Sequence, residues 1–202
     1  MKILCIGRNY AEHAKELNNA VPDSPVVFSK PQTALITNGK PFFLPDFSSD
    51  MHYEGELVLR ICRNGKHIQE AFAHRYYDEI GFGIDFTARD LQAKLKAKGL
   101  PWELAKAFDG SAILGDFVPK SSLDMTNINF QTHKNNELVQ DGHTRDLIFS
   151  FDFLISFLSG YFTLQQGDLI YTGTPAGVGP VQRGDLLEGS IAGKQLLRCE
   201  IK

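Results

Sequence analysis

Glu54-Gly55-Glu56-Leu57-Val58-Leu59-Arg60-Ile61 is the stretch on which the reading of this chain turns. The apolar run after the second glutamate reads as a strand. Side chains alternate across a strand, so two carboxylates one residue apart point to one face. Further on, a second apolar run over 80–84 delivers Asp85, and Lys106 follows after that. Three carboxylates brought together repel and raise one another's pKa unless a cation sits among them. An all-oxygen donor set without thiolate or imidazole suits a hard ion such as Mg2+ or Mn2+. On spacing alone, Glu54 and Glu56 read equally as the solvent side of a half-exposed strand, with Asp85 in a turn.

Working outward, residues 1–6 form a short buried strand, and Gly7-Arg8-Asn9 turns the chain into a helix over about 10–18. His13 and Glu16, three apart, share a face of that helix. They make either a general-base unit or a solvated charged pair beside Glu12 and Lys15. A dinucleotide fingerprint is excluded, because its second and third glycines are missing. The polar loop over 18–25 can let the helix move as a lid. Residues 26–29 form a strand, and Pro31 holds Lys30 extended, facing solvent or an anionic ligand. Residues 41–45 are extended, and Arg63-Asn64-Gly65-Lys66 signals a hairpin turn. Thr87 is a fair N-cap for a helix over 88–97, stopped by Gly99 and Pro101. Arg89 and Gln92 lie on a face of it that looks back toward Asp85.

The C-terminal half is strand-rich. Residues 127–132 and 137–140 pair through a His133-Lys134-Asn135-Asn136 turn, and a helix over 150–159 stops at Gly160. A strand over 169–171 runs into the loop 172–180, where amides can approach an anion and the Thr174 hydroxyl can meet a carboxylate. Residues 185–202 supply two more strands. His67 and His74 are surface residues.

A chain of 202 residues without repeats or linkers reads as one domain over 1–202. Its net charge of -3 carries no basic patch for nucleic acid, and Lys94, Lys96 and Lys98 read as a solvated helix end. Cys5, Cys62 and Cys199 have no metal-ligand spacing and read as reduced, buried thiols. The apolar segment 3–6 is too short for a signal peptide, and 147–158 is too short to span a bilayer. The expectation is a cytoplasmic protein without a membrane segment.

These pieces together resemble the fumarylacetoacetate hydrolase superfamily, in particular its small acylpyruvase-type members. The resemblance rests on the segments 7–13, Tyr53-Glu54-Gly55-Glu56-Leu57, 85–92, 99–106, 136–140 and 167–179, in the family's order. It implies an α+β, β-rich fold with a mixed β-roll or β-sandwich core and peripheral helices, usually a homodimer. It implies Glu54, Glu56 and Asp85 as ligands of Mg2+ or Mn2+, Lys106 as an active-site cation, and His13 with Glu16 as a catalytic pair on a lid. It further implies Arg89, Gln92 and Thr174 as contacts to a small 2-oxo acid.

The activity so implied is hydrolysis of a carbon–carbon bond in acylpyruvates, His13 activating water while the cation stabilises the pyruvate enolate. The alternative on the same site is an oxaloacetate decarboxylase or a keto–enol isomerase. A cation-holding binding module leaves Lys106 and the His–Glu pair without a purpose.

Overall fold

In a computed structural model, residues 1–16, 20–37 and 39–202 are described. In chain order they form β1 (Ile3–Ile6), α1 (Ala11–Glu16), β2 (Val27–Lys30), β3 (Leu35–Thr37), β4 (Met51–Tyr53) and β5 (Gly55–Ile61). Then come α2 (Glu70–Ala73), β6 (Tyr77–Asp85), β7 (Thr87–Ala88), α3 (Arg89–Ala97), α4 (Glu103–Lys106) and β8 (Ala112–Pro119). The C-terminal part holds β9 (Asn129–Lys134), β10 (Glu137–His143), α5 (Phe151–Tyr161), β11 (Leu169–Tyr171), β12 (Gly179–Pro180), β13 (Leu186–Ile191) and β14 (Lys194–Glu200).

The apolar runs on which the sequence reading rests become the centre of a mixed seven-stranded sheet of order β2-β1-β11-β5-β6-β8-β3. Strands β1 and β11, and β3 and β8, run parallel, and the other neighbours are antiparallel. The sheet is curled, and its chain composition is α+β with strand predominant. Tyr171 on β11 reaches across two strands to donate its hydroxyl to the Ile113 carbonyl on β8 at 2.9 Å. Gly83 makes that crossing possible, since a Cβ there would stand 2.6 Å from the Tyr171 ring. Ile3, Cys5, Val58, Leu169 and Tyr171 fill this side of the sheet.

A second sheet, β10-β9-β13-β14, packs on the opposite side. Phe82 meets Phe130 edge to face, with centroids 6.3 Å apart, and its ring lies where a Cβ on Gly189 would be. A third sheet, β12-β4-β7, sits where the chain leaves β4 for β5. No helix among the described residues is long and apolar enough to cross a membrane.

Several local expectations are corrected. The 63–66 segment is no hairpin turn: Gly65 bridges to Leu164, and α2 lies in the connection before β6. Glycine is required because a Cβ would stand 2.4 Å from Tyr76. Gly160 does not stop α5, which runs on to Tyr161 along a ladder of Phe153, Phe157 and Tyr161. The Ser150 hydroxyl caps that helix, accepting from the Phe153 amide at 3.1 Å. His133 lies within β9 opposite Leu138, and the turn is Asn135-Asn136 alone, with φ of 53° and 68°. Asparagine tolerates that left-handed pair, which fits a tight hairpin. The helix expected over 10–18 is seen as Ala11–Glu16, and Leu17 and Asn18 lie outside the described residues. Of the three free cysteines, Cys5 and Cys199 are buried while Cys62 is partly exposed.

The two sheets also press together at Gly115, where a Cβ would stand 2.5 Å from the Leu196 carbonyl. Gly115→Ala should cost about 1–3 kcal/mol in urea unfolding. Gly160→Ala, with open space at its Cβ, should gain about 0.5–1 kcal/mol in the same assay.

Candidate active site

Glu54 occupies the single residue between β4 and β5, so it marks the point where the chain passes from one sheet to another. Its carbonyl accepts the Asp85 amide at 2.8 Å, which ties the start of β5 to the end of β6. Glu56 follows on the same face. The reading of these residues as solvent-facing is overturned: Glu54, Glu56 and Asp85 are all buried, with ligand oxygens within 4.8 Å of one another. Gly55 between them is compelled by packing, because a Cβ there would stand 2.1 Å from the Thr132 hydroxyl. Its amide donates instead to Gln140 Oε1 at 2.9 Å.

Three cations surround the carboxylates. Lys106, at the end of α4, places Nζ 2.7 Å from both Glu54 Oε2 and Asp85 Oδ2. Arg89 donates from Nη2 to Glu54 Oε1 at 2.6 Å and from Nη1 to Gln92 Oε1 at 2.8 Å. Lys30 Nζ stands 2.7 Å from Asp85 Oδ1 and 3.0 Å from Ser111 Oγ, and it also bonds the Lys106 carbonyl. The pair of lysines thus grips Asp85 from both oxygens.

Burial alone would raise the Glu54 carboxyl, but Lys106, then Arg89 and His13, outweigh it and hold that carboxyl well below the usual range. Glu56 goes the other way. Burial, then Asp85 and Glu54, push its carboxyl well above the usual range, although the Gly173 amide donates to its Oε2 at 2.7 Å. Burial would lower the Lys106 ammonium, yet Asp85 and Glu54 raise it, so it stays charged. One carboxylate without a cation of its own, in a buried all-oxygen cluster, is the arrangement that a divalent ion fits.

His13 is buried on α1, with Nδ1 3.1 Å from Glu16 Oε2, while Glu16 itself is exposed, so the histidine half of the pair is withdrawn from solvent and the glutamate half is not. Glu16 uses its other oxygen to accept the Gly177 amide at 3.0 Å. Glu12 and Lys15 form the exposed pair of that helix instead. Thr174 is buried beside the cluster. Its hydroxyl donates to the Gly55 carbonyl at 2.9 Å and accepts from Gln140 Nε2 at 2.8 Å, so toward a ligand it offers a lone pair rather than its proton.

Two residues take roles the sequence reading did not give them. Thr87 caps no helix, since α3 begins after it. It lies in β7, and its hydroxyl donates to Glu54 Oε1 at 3.0 Å. Lys30 is buried rather than solvent-facing. The alternation along β2 carried that signal, since Lys30 shares the face of Phe28, whose ring lies 5.1 Å from Lys106 Nζ.

The sequence profile of the fumarylacetoacetate (FAA) hydrolase C-terminal family matches residues 2–202. A mitochondrial oxaloacetate tautomerase from Mus musculus is 42% identical over 201 residues, covering 99% of this chain and 91% of the relative. An oxaloacetate tautomerase from Escherichia coli (strain K12) is 41% identical over 197 residues, covering 96% of this chain and 90% of the relative. Among solved structures, fumarylpyruvate hydrolase from Pseudomonas aeruginosa, in complex with Mn2+ and pyruvate, matches at a TM-score of 0.93. It is 35% identical, and the match covers 100% of this chain and 89% of that chain.

Because the Glu56 carboxyl is raised, it holds its proton at pH values where an ordinary carboxylate has lost it, and a cation must displace that proton. Mn2+ affinity should therefore rise with pH, and binding should release protons. Titration calorimetry in buffers of different ionisation enthalpy measures both. Glu56→Gln should abolish the proton release and weaken binding.

Proposed function

The chain belongs to the fumarylacetoacetate hydrolase C-terminal family, and from that premise we propose that it is a divalent-cation-dependent keto–enol tautomerase of a short 2-oxo dicarboxylate of the oxaloacetate type. The observation that carries this reading is the charge count of the site. Lys30, Lys106 and Arg89 equal Glu54, Glu56 and Asp85 in number, although their ion pairs reach only Glu54 and Asp85. A divalent ion then leaves two positive charges in excess, which match a dicarboxylate better than a monoanionic acylpyruvate. The tautomerase names of the Mus musculus and Escherichia coli relatives support the same choice.

Glu54, Glu56 and Asp85 would hold the ion, Mg2+ or Mn2+, and the ion would supply Lewis acidity at the substrate's 2-oxo group. The remaining steps fall to the chain's own groups. Arg89, with Gln92 beside it, binds a carboxylate of the substrate, and Thr174 borders the carboxylate cluster. Glu16 fixes the His13 ring through Nδ1, which leaves Nε2 to take the proton from carbon 3 and return it to the oxygen of carbon 2. Lys106, kept charged by Asp85 and Glu54, stabilises the negative charge that develops on that oxygen. The buried setting of His13 and Lys106 keeps water from competing for the proton.

A second reading, hydrolysis of an acylpyruvate, is favoured by the same His13–Glu16 pair, which can activate water instead of carbon 3. The 35% identity to the Pseudomonas aeruginosa fumarylpyruvate hydrolase supports it. Loss of CO2 from oxaloacetate needs no such base and is the third outcome to separate. The proposed working form is a homodimer in a reducing compartment, the cytoplasm. An apolar face beside edge strand β2, with Leu104 and Tyr161 each about 70% exposed, supports the dimer.

The test follows loss of enol absorbance of oxaloacetate, CO2 release, and pyruvate formation from acetylpyruvate, with metal-stripped protein before and after Mg2+. Mg2+-dependent enol loss that outpaces the other two is expected. His13→Ala should lower it by about 100-fold or more. Pyruvate from acetylpyruvate as the fastest reaction would replace this reading with the hydrolase.

A further inference from the structure

Among the described residues, the hydrogen bonds that hold the His13–Glu16 pair do not end at Glu16. Glu16 Oε2 meets His13 Nδ1 at 3.1 Å, and Glu16 Oε1 accepts the Gly177 amide at 3.0 Å. Gly177 is in turn held by Tyr53, whose hydroxyl donates to the Gly177 carbonyl at 2.9 Å. We propose that Tyr53 is a positioning residue for the His13–Glu16 pair, acting through Gly177.

Gly177 is badly placed to hold itself. It lies in the strandless stretch between β11 and β12, has φ of 99°, and has no side chain with which to anchor. Nor can another residue replace it, because a Cβ would stand 2.0 Å from the Val139 carbonyl. Its carbonyl and amide therefore depend on groups from elsewhere in the fold. Tyr53 is well suited to the task. It is buried at the end of β4 and pairs with Gly179 across β12.

Tyr53 also stands next to Glu54 in the chain. The strand that presents the first carboxylate thereby fixes, one residue earlier, the point on which α1 docks. A phenylalanine would keep the ring and its packing but leave the Gly177 carbonyl without this donor.

The catalytic part of this inference rests on the role given above to His13, so the test includes a readout that needs no chemistry. Amide exchange of the Ala11–Glu16 segment is followed by mass spectrometry in the unaltered chain, Tyr53→Phe, Glu16→Ala and the double variant. Tyr53→Phe should speed exchange there roughly fivefold. The double variant should exchange no faster than Glu16→Ala alone. Turnover should fall by a similar factor in Tyr53→Phe, while Mn2+ affinity stays the same. Unchanged exchange in Tyr53→Phe, or effects that simply multiply in the double variant, would overturn the proposal. Coupled exchange with unchanged turnover would uphold it and overturn instead the catalytic role of His13.

Discussion

Three buried carboxylates bring their oxygens within 4.8 Å of one another, and the rest of the architecture answers the repulsion that this creates. A buried carboxylate with no partner would simply take up a proton. Here two of the three meet cationic side chains drawn from different parts of the chain: Lys30 from an edge strand, Lys106 from a short helix, and Arg89 from the first turn of α3. The third, Glu56, accepts the Gly173 amide, makes no ion pair among the described residues, and stays proton-loving. The site is thus balanced in charge but uneven in distribution, and the uneven corner is where an added cation gains most.

The curl of the main sheet serves the same end. Lys30 lies on β2 at one edge and Asp85 at the end of β6, four strands away along the sheet order, yet they touch. A flat sheet would hold them well apart, since neighbouring strands are spaced about 4.8 Å. Glycines at 83, 115 and 189 let aromatic rings and backbone approach where the curled sheet and its neighbours press together. The electrostatics of the site and the close packing of the sheets are therefore one constraint seen from two sides.

Much of this was legible in the sequence, and the reasons are physical. Alternation placed Glu54 and Glu56 on one face of the strand without saying whether it was buried, and the three-residue spacing of His13 and Glu16, and of Arg89 and Gln92, gave their shared helix faces. Those are short-range rules, and each pair meets in the structure. The misses came where tertiary contacts overrode a local signal. Thr87 has the chemistry of an N-cap, but Glu54 claims its hydroxyl. Gly65 sits in a hairpin-like sequence, but its lack of a side chain serves the close approach of Tyr76. Gly160 resembles a helix stop, but the aromatic ladder along α5 carries the helix past it. Lys30 looked like an ordinary strand-end lysine because its partner, Asp85, is distant in sequence.

That distance also explains why the motifs alone leave several reactions open. Hydrolysis, decarboxylation and tautomerisation of a 2-oxo acid all pass through an enolate, so under the proposed reading the carboxylates and Lys106 would serve each of them alike. What separates the reactions is where a proton goes and whether water is admitted, and those depend on how firmly the His13 ring is held. The ring meets Glu16, Glu16 accepts the Gly177 amide, and the Gly177 carbonyl accepts the Tyr53 hydroxyl. Under the proposed reading, selectivity among the reactions rests on how α1 presents His13 rather than on the carboxylates, and a change in its docking would redirect the chemistry with every carboxylate left in place.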